Sequence, residues 1–323
     1  MTIADEILDF TFSGDPADPI KRHLTGLYSF DHAFVNAEDE IGMPIGIGCE
    51  VFGAKSIGKS SFVYSLAGMI GKQLELDINL GDLEGFDPKY LSIILKYMRF
   101  DKNIHLIHQG TDEEILTSLM EKLLDDEDSI GILDSIAAIS PVSEKKSELG
   151  ASNMGRRGLL MAQFSRGLLP TVHPRKLGSR NIFFLTNHWN PQPGSMSYVS
   201  PGGYYKDYLC AVQIHLKRTT RYDDGSWLLT GTLRKNRYGF DKRQFRVFMK
   251  GGKGIHKGLT AVVDAVDFGF ATKDKVIRIK DKSFGYFKHM IFDEWENDEF
   301  FQSFYDVLKD NTVLNNSENE NEN

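Results

Sequence analysis

The chain has 323 residues, of which 41% are hydrophobic and 26% charged, and its formal net charge is −7 at pH 7. This composition is typical of a globular protein large enough for one core and a small appendage. No apolar stretch approaches the length of a bilayer span, and the acidic amino-terminal residues do not resemble a signal or transit peptide, so no membrane association is expected. Cys49 and Cys210 lie in apolar stretches typical of buried strands, which favours reduced thiols and a cytoplasmic location.

The charge is distributed unevenly along the chain. Residues 1–50 contain ten acidic and two basic side chains, and residues 293–323 contain ten acidic side chains and one basic one. Residues 145–206 show the reverse, with one acid, Glu148, and nine basic side chains: Lys145, Lys146, Arg156, Arg157, Arg166, Arg175, Lys176, Arg180 and Lys206. This pattern favours a polyanionic partner bound by one region of an acidic molecule, with a solvated charged surface as the alternative.

The amino-terminal residues 1–23 are polar and include a helical pattern over residues 3–10. They are predicted to form either an arm that packs on a neighbouring subunit or a loose terminus.

The most informative stretch is residues 53–60, which read G-A-K-S-I-G-K-S and match a phosphate-binding loop. A strand-type run at 49–52 precedes the loop and helical spacing follows at 61–70, which is the strand-to-helix setting that the motif requires. Gly53 and Gly58 allow the backbone N–H groups to turn toward a polyphosphate. Lys59 is predicted to reach the β- and γ-phosphates and Ser60 to hold Mg²⁺, whereas the alternative is a simple glycine-rich turn.

Strand and helix patterns alternate after this loop. Strands are predicted at 74–80 and 104–108, and a helix at 112–124. The run at 129–134 is an apolar strand that ends in Asp134, as in a Walker B element that orients the Mg²⁺ shell. The alternation predicts an α/β fold with a mostly parallel, doubly wound sheet and a ligand at its carboxyl edge.

A carboxylate that orients water is expected between these two elements, because ATP hydrolysis requires one near the γ-phosphate. Glu84 is the candidate and Asp82 the rival. The alternative is that both side chains only cap or solvate the loop.

Two polar segments follow, each next to a predicted regular element. Residues 142–155 precede a predicted helix at 156–169, and residues 189–203, rich in Pro, Gly and Ser, follow a buried strand at 181–186. Loops with nearby cations and aromatic side chains, here Trp189 and Tyr198, are suited to a phosphodiester backbone and its bases.

Antiparallel-type strands are predicted at 209–217 and 226–233, followed by Lys235-Asn236-Arg237. These cations either pair with local acids or reach phosphate in a neighbouring subunit, and the sequence leaves both options open. A further helix is predicted around 298–310, and the Asn- and Glu-rich residues after it are predicted to be disordered.

Together these residues resemble the RecA-type DNA recombinases, most closely the phage-encoded RecA- and UvsX-like proteins, from about residue 24 to residue 273. The blocks that carry the resemblance are T-G-L-Y-S-F-D-H-A-F, F-G-A-K-S-I-G-K-S-S, D-L-E-G-F-D-P-K-Y, G-I-L-D-S-I-A-A-I-S-P, N-M-G-R-R-G, F-F-L-T-N-H, S-P-G-G and R-K-N-R. The most specific block is G-I-L-D-S-I-A-A-I at 131–139, with Gly202-Gly203 downstream.

The resemblance implies a RecA-like P-loop NTPase core at 24–268, with antiparallel edge strands, a reduced arm at 1–23, a small carboxyl-terminal region at 269–311 and an acidic tail at 312–323. The implied ATP-binding residues are Gly53, Ala54, Lys55, Ser56, Ile57, Gly58, Lys59, Ser60, Ser61, Asp87 and Tyr90. The implied catalytic residues are Glu84, Lys59, Lys235 and Arg237, the last two supplied across a filament interface, with Ser60 and Asp134 as metal-site residues. The implied DNA-binding residues are Lys145, Lys146, Arg156, Arg157, Trp189, Tyr198, Gly202 and Gly203, and the implied γ-phosphate sensor is Asn187 with His188.

The resemblance further implies an ATP- and Mg²⁺-dependent recombinase that forms filaments on single-stranded DNA, pairs it with double-stranded DNA, and works with single-strand-binding and loader proteins. A ring-forming helicase of the DnaB type and a nucleotide-binding mediator without turnover are the alternatives. One departure from the family pattern is His188, which stands where the family usually has glutamine. The spacing around Glu84 is also one residue shorter than in the bacterial form.

Overall fold

The computed structural model describes residues 20–125, 128–145, 155–172, 180–191, 198–268, 276–279 and 282–286. The predicted helices at 3–10 and 298–310 and the acidic tail lie outside these residues. Most of the described strands belong to one nine-stranded sheet, and two-stranded pairs account for the others.

The strands, in chain order, are β1 (Arg22–His23), β2 (Met43–Pro44), β3 (Gly48–Gly53), β4 (Asp77–Asp82), β5 (Ile104–Ile107), β6 (Ser129–Asp134), β7 (Ile182–His188), β8 (Asn190–Pro191), β9 (Tyr198–Val199), β10 (Cys210–Arg221), β11 (Trp227–Asn236), β12 (Gln244–Lys250), β13 (Gly254–Ile255), β14 (Val276–Ile279) and β15 (Lys282–Tyr286). The helices are α1 (Tyr28–Ala33), α2 (Lys59–Leu74), α3 (Pro88–Tyr97), α4 (Asp112–Leu124), α5 (Val142–Lys145), α6 (Arg156–Leu168), α7 (Tyr204–Leu209) and α8 (Lys257–Asp267). A short 3₁₀ helix covers Ile136–Ala138.

The large sheet has the order β13-β12-β11-β10-β3-β7-β6-β4-β5. Strands β10, β3, β7, β6, β4 and β5 run parallel to one another, while β11, β12 and β13 extend the β10 edge in antiparallel pairs. The predicted α/β class, with a mostly parallel sheet and antiparallel edge strands, is therefore confirmed.

Helices pack on both faces of the sheet. Residues of α2, among them Phe62 and Leu66, belong to the larger hydrophobic cluster, and residues of α4 and α6, among them Leu119 and Phe164, belong to the second. Helices on both faces bury the central strands β3 and β6 completely, as in other doubly wound folds, while β5 at the edge stays partly exposed. Because β3, β7 and β6 are neighbouring parallel strands, their carboxyl ends lie at the same edge of the sheet. The phosphate loop, Asp134 and His188 lie at that edge.

The predicted second strand at 74–80 is wrong at its amino end. Leu74 is the last residue of α2, and the strand begins only at Asp77. Glu75 adopts a left-handed conformation, with φ 59°, and its N–H group donates to the carbonyl oxygen of Gly71, which ends the helix there. Of the alternating apolar residues of this stretch, Leu74 therefore belongs to α2 and Ile78 and Leu80 belong to β4.

Candidate active site

The phosphate loop connects β3 to α2 as the motif requires. Gly58 is the residue before the first turn of α2 and has φ 105°, a conformation that side-chain-bearing residues rarely adopt. Among the described residues a cleft of about 390 Å³ opens over the loop. It is lined by Lys55, Ser56, Gly58, Lys59, Ser60, Ser61, Tyr64, Glu84, Phe86, Tyr90, Asp134, His188, Arg218 and Trp227.

Lys59 places its ammonium group over the phosphate loop. Its Nζ atom donates to the carbonyl oxygens of Ala54 at 3.0 Å and Gly53 at 3.3 Å, and contacts His188 Nδ1 at 3.3 Å. Burial lowers the pKa of Lys59, while the carboxylates of Glu84 and Asp134 oppose that effect. The site thus contains a buried cation whose described hydrogen-bond partners are uncharged acceptors, which suits it to an incoming polyanion.

His188 lies between Lys59 and Glu84. Because an ammonium group only donates, Nδ1 of His188 must be the acceptor, which leaves the proton on Nε2. That Nε2 atom lies 3.5 Å from Glu84 Oε1. Burial and the nearby Lys59 lower the pKa of His188, so the imidazole is neutral at pH 7.

Glu84 and Asp82 have different surroundings. Asp82 accepts the backbone N–H groups of Glu84 at 3.0 Å, Gly85 at 2.9 Å and Phe86 at 3.1 Å, so its carboxylate holds the turn. Glu84 lines the cleft and accepts a hydrogen bond from the Ser135 hydroxyl. Of the two candidates, Glu84 is the one that faces the cleft.

Asp134 ends β6 and is 4% exposed. Its carboxylate accepts hydrogen bonds from the hydroxyl groups of Tyr64, at 2.6 Å, and Thr186. Burial raises the pKa of Asp134, while hydrogen bonds from Thr186, Tyr64 and Ser60 act in the opposite direction. Ser60, in the first turn of α2, therefore lies beside Asp134 at the end of β6.

Tyr90 and Asp87, the predicted adenine contacts, are placed differently. Tyr90 lines the cleft, and its hydroxyl group lies 2.7 Å from Ser61 Oγ. Asp87 caps α3, where its carboxylate accepts the N–H group of Lys89, and it is not among the residues that line the cleft. The structure thus brings Tyr90, but not the Asp87 side chain, to the cleft.

The predicted DNA-binding residues lie on two segments that are only partly described. Arg156 and Arg157 begin α6, and Arg156 donates to the carbonyl oxygen of Ser143. The backbone of Lys145 ends α5, whereas Lys146 lies outside the described residues. Trp189 follows β7 directly, with its ring centroid 3.9 Å from that of His215.

The downstream end of the second segment is described from residue 198. Tyr198 contributes its backbone to β9, which pairs with β8. Gly202 and Gly203 both have positive φ, 116° and 74°, and Gly203 caps the start of α7. Asn187 joins this end to β7, because its Nδ2 atom donates to the carbonyl oxygen of Pro201 at 2.6 Å.

Lys235 and Arg237 lie away from the phosphate loop. Lys235 pairs in register with Gln213, which pairs with Glu50, whereas the loop begins at Gly53. Lys235 donates to the carbonyl oxygens of Asp207 and, at 2.8 Å, Cys210. Burial and the neighbouring Arg237 lower the pKa of Lys235, and neither cation is among the residues that line the cleft.

Comparisons with known sequences identify the family. The family model described as the RecA N-terminal domain matches residues 16–233, about two thirds of the chain. The chain belongs to the RecA family.

RecA relatives match at low identity over most of the chain. Protein RecA of Chlorobium chlorochromatii (strain CaD3) is 27% identical over 244 residues, which cover 72% of this chain and 66% of that protein. Protein RecA of Sulfurovum sp. (strain NBC37-1) is 25% identical over 281 residues, covering 84% and 75%, and that of Aquifex aeolicus (strain VF5) is 23% identical over 242 residues, covering 72% and 67%. The chain thus matches about two thirds to three quarters of the length of these RecA proteins. Within the described part of the chain, no helix has both the length and the apolar character to cross a membrane.

Several residues of this RecA-family site were not predicted from the sequence. Tyr64 follows Ser60 by four residues on α2, which places both side chains on one face of the helix, so the sequence did carry a signal for Tyr64. Trp227 and Arg218 come from β11 and β10, and no local pattern connects them with the loop. Arg218 donates to the carbonyl oxygen of Ser56 at 2.6 Å, and its guanidinium lies 4.9 Å from the Trp227 ring centroid.

Proposed function

We propose that the protein is a DNA-dependent ATPase that assembles into filaments on single-stranded DNA and catalyses homologous pairing and strand exchange in recombination and repair. Membership of the RecA family supports a role in recombination and repair. The observation that carries the proposal is the meeting of Lys59, His188 and Glu84 in one cleft above the phosphate loop.

These three side chains suit the cleavage of a nucleoside triphosphate. Lys59 is the cation for the β- and γ-phosphates, and Glu84 is the carboxylate that orients a water molecule toward the γ-phosphorus. His188 contacts both of them and directly precedes the segment at 189–201. We therefore assign His188, with Asn187, the role of reporting γ-phosphate to the second DNA-facing segment.

A magnesium ion fits the residues present. Mg²⁺ prefers oxygen ligands and in nucleotide sites usually takes only one or two protein oxygens, with water and phosphate supplying the others. Ser60 and Asp134 offer a hydroxyl and a buried carboxylate, and the described residues contain no group of three or more His, Cys, Asp or Glu side chains that could hold a metal ion. When bound, the ion neutralises charge on the β- and γ-phosphates.

Lys235 and Arg237 are proposed to act on the ATP of a neighbouring subunit. Both are kept apart from their own cleft, and their described hydrogen bonds go to backbone carbonyl groups rather than carboxylates. Cations placed in this way would make hydrolysis depend on assembly, because each site is complete only between two subunits.

Imaging of the purified chain with single-stranded DNA and a non-hydrolysable ATP analogue tests the proposal, together with measurement of phosphate release. We expect helical filaments and phosphate release that single-stranded DNA stimulates and that Lys59→Ala reduces at least about a hundredfold. Closed rings would instead favour a helicase, and nucleotide binding without phosphate release would favour a mediator. A monomeric preparation that hydrolyses ATP at full rate without DNA would contradict the proposal.

A further inference from the structure

A buried polar cluster lies beside the active site, on the strands that carry it. We name it the Lys206 cluster, and its members are Glu50, Asn187, Ser200, Lys206, Asp207 and Gln213. The side chain of Lys206 is 3% exposed and that of Glu50 is 0% exposed. The cluster therefore contains an ion pair that is almost fully removed from water.

Every donor of the ammonium group has a partner. Lys206 Nζ lies 2.9 Å from each of three acceptors: Glu50 Oε2, Asp207 Oδ1 and Ser200 Oγ. Burial alone would lower the pKa of Lys206, but Glu50 and Asp207 raise it above its ordinary value. The lysine is thus held charged and in one position.

The amide members extend the cluster to neighbouring strands. Gln213 Nε2 donates to Glu50 Oε2 at 2.8 Å and to Asp207 Oδ1 at 2.7 Å. Asn187 Nδ2 donates to Glu50 Oε1 at 2.7 Å and to the carbonyl oxygen of Pro201 at 2.6 Å. Both oxygens of the buried Glu50 carboxylate are therefore satisfied, as a buried charge requires.

The cluster connects both ends of the segment at 189–201 with β3. Asn187 lies just before the segment at 189–201, and Ser200 and Pro201 lie at the other end of that segment. Glu50, which accepts hydrogen bonds from Asn187 and Lys206, is on β3 three residues before Gly53. The cluster thus fastens both ends of the segment to the strand that leads into the phosphate loop.

We propose that Lys206 and Glu50 are positioning residues that hold the two ends of this segment together, and that the Ser200 hydroxyl transmits DNA occupancy of the segment to the active site. This inference rests on the proposed function. It adds a second connection between the segment and the active site, which runs through β3. The first connection is made by His188, which contacts Lys59 and Glu84.

The test must leave the ion pair intact, because removal of one partner from a buried pair strongly destabilises a protein. Ser200→Ala removes one acceptor of Lys206 and keeps Glu50 and Asp207. We expect the ratio of hydrolysis rates with saturating and without single-stranded DNA to fall about fivefold. The affinity for a fluorescent ATP analogue without DNA should stay within about twofold, since Ser200 does not line the cleft.

Two matched variants distinguish loss of the Ser200 hydroxyl from a general effect of substitution on folding or activity. Ser200→Thr retains the hydroxyl and should restore the ratio, and Ser92→Ala, at an exposed serine of α3, should leave it unchanged. Normal stimulation in Ser200→Ala, an equal loss in Ser200→Thr, or an equal loss of nucleotide affinity would overturn the inference while the proposed function stands. Absence of DNA stimulation in the unmodified protein would instead refute the proposed function and, with it, the inference.

Discussion

Lys59 and Lys206 are both buried, but under opposite conditions. Lys59, in the phosphate loop, is 7% exposed and donates to backbone carbonyl groups, and burial lowers its pKa. Lys206 is 3% exposed and donates to two carboxylates, and its pKa is raised. The difference separates a cation ready for a bound anion from one whose charge is already paired, because only the second contacts carboxylates.

Substitution of the two lysines should therefore affect different properties. Lys206→Met leaves Glu50 and Asp207 without their cation, and we expect the free energy of unfolding to fall by about 3–5 kcal/mol. Lys59→Met should change that free energy far less, because it removes a buried charge that no carboxylate contacts directly. Urea denaturation of the two variants at pH 7 measures both effects. Equal destabilisation would contradict the predicted difference between the two lysines.

Asp264 extends the comparison to a buried acid. Its Oδ2 atom accepts the N–H group of Ser29 at 3.1 Å, but Oδ1 has no hydrogen-bond partner among the described residues. Burial raises the pKa of Asp264 to about 7, with Asp31 contributing, whereas hydrogen bonds from Ser29 and the charge of Arg246 oppose the rise. Unlike Glu50, this carboxylate is incompletely satisfied.

The stability of the protein should therefore depend on pH through Asp264. The folded state retains a proton that the unfolded state releases near pH 4, so the free energy of unfolding falls as the pH rises from about 4 to about 7. Asp264→Asn is neutral throughout and should be more stable than the unmodified protein by about 1–3 kcal/mol at pH 8. At pH 4 the gain should be much smaller. Urea denaturation at both pH values checks this, and a gain that does not change with pH would contradict it.

The smallest expected effect is on the titration of His188. Burial lowers its pKa first and the charge of Lys59 second, so Lys59→Met should raise the pKa of His188 toward its ordinary value. His215 provides a control, because burial and the charges of Arg234 and Lys217 lower its pKa to about 4. NMR titration of the imidazole resonances should show a shift for His188 and none for His215. An unchanged His188 pKa would mean that the Lys59 charge does not act on the imidazole.

Much of the fold could be predicted because its signals are local. The helix at 112–124 has the predicted bounds, and its start is fixed by reciprocal hydrogen bonds between Thr111 and Glu114. The strand at 129–134 likewise has the predicted bounds, with apolar residues at 130–133 and every residue buried. The boundary near Leu74 was wrong because an apolar residue serves equally well as the last residue of a helix or the first of a strand.

The candidate site could be predicted only where its residues share a motif. The phosphate loop and Asp134 are recognisable from a few neighbouring residues each. The contacts of Arg218 with Ser56 and of Lys206 with Glu50 join residues 162 and 156 positions apart. No short sequence pattern predicts such pairs, because they form only when β10 and the preceding helix α7 pack beside β3.

The packing of Trp227 on the phosphate loop has a practical consequence. A Cβ atom at Gly58 would lie only 2.9 Å from the indole ring, so the ring rests directly on the loop backbone. Indole emission responds to the polarity and motion of its immediate surroundings, which makes this side chain a built-in optical reporter of events at the loop. The chain contains three tryptophans, so a change in emission on nucleotide binding is assigned to this ring if Trp227→Phe abolishes it.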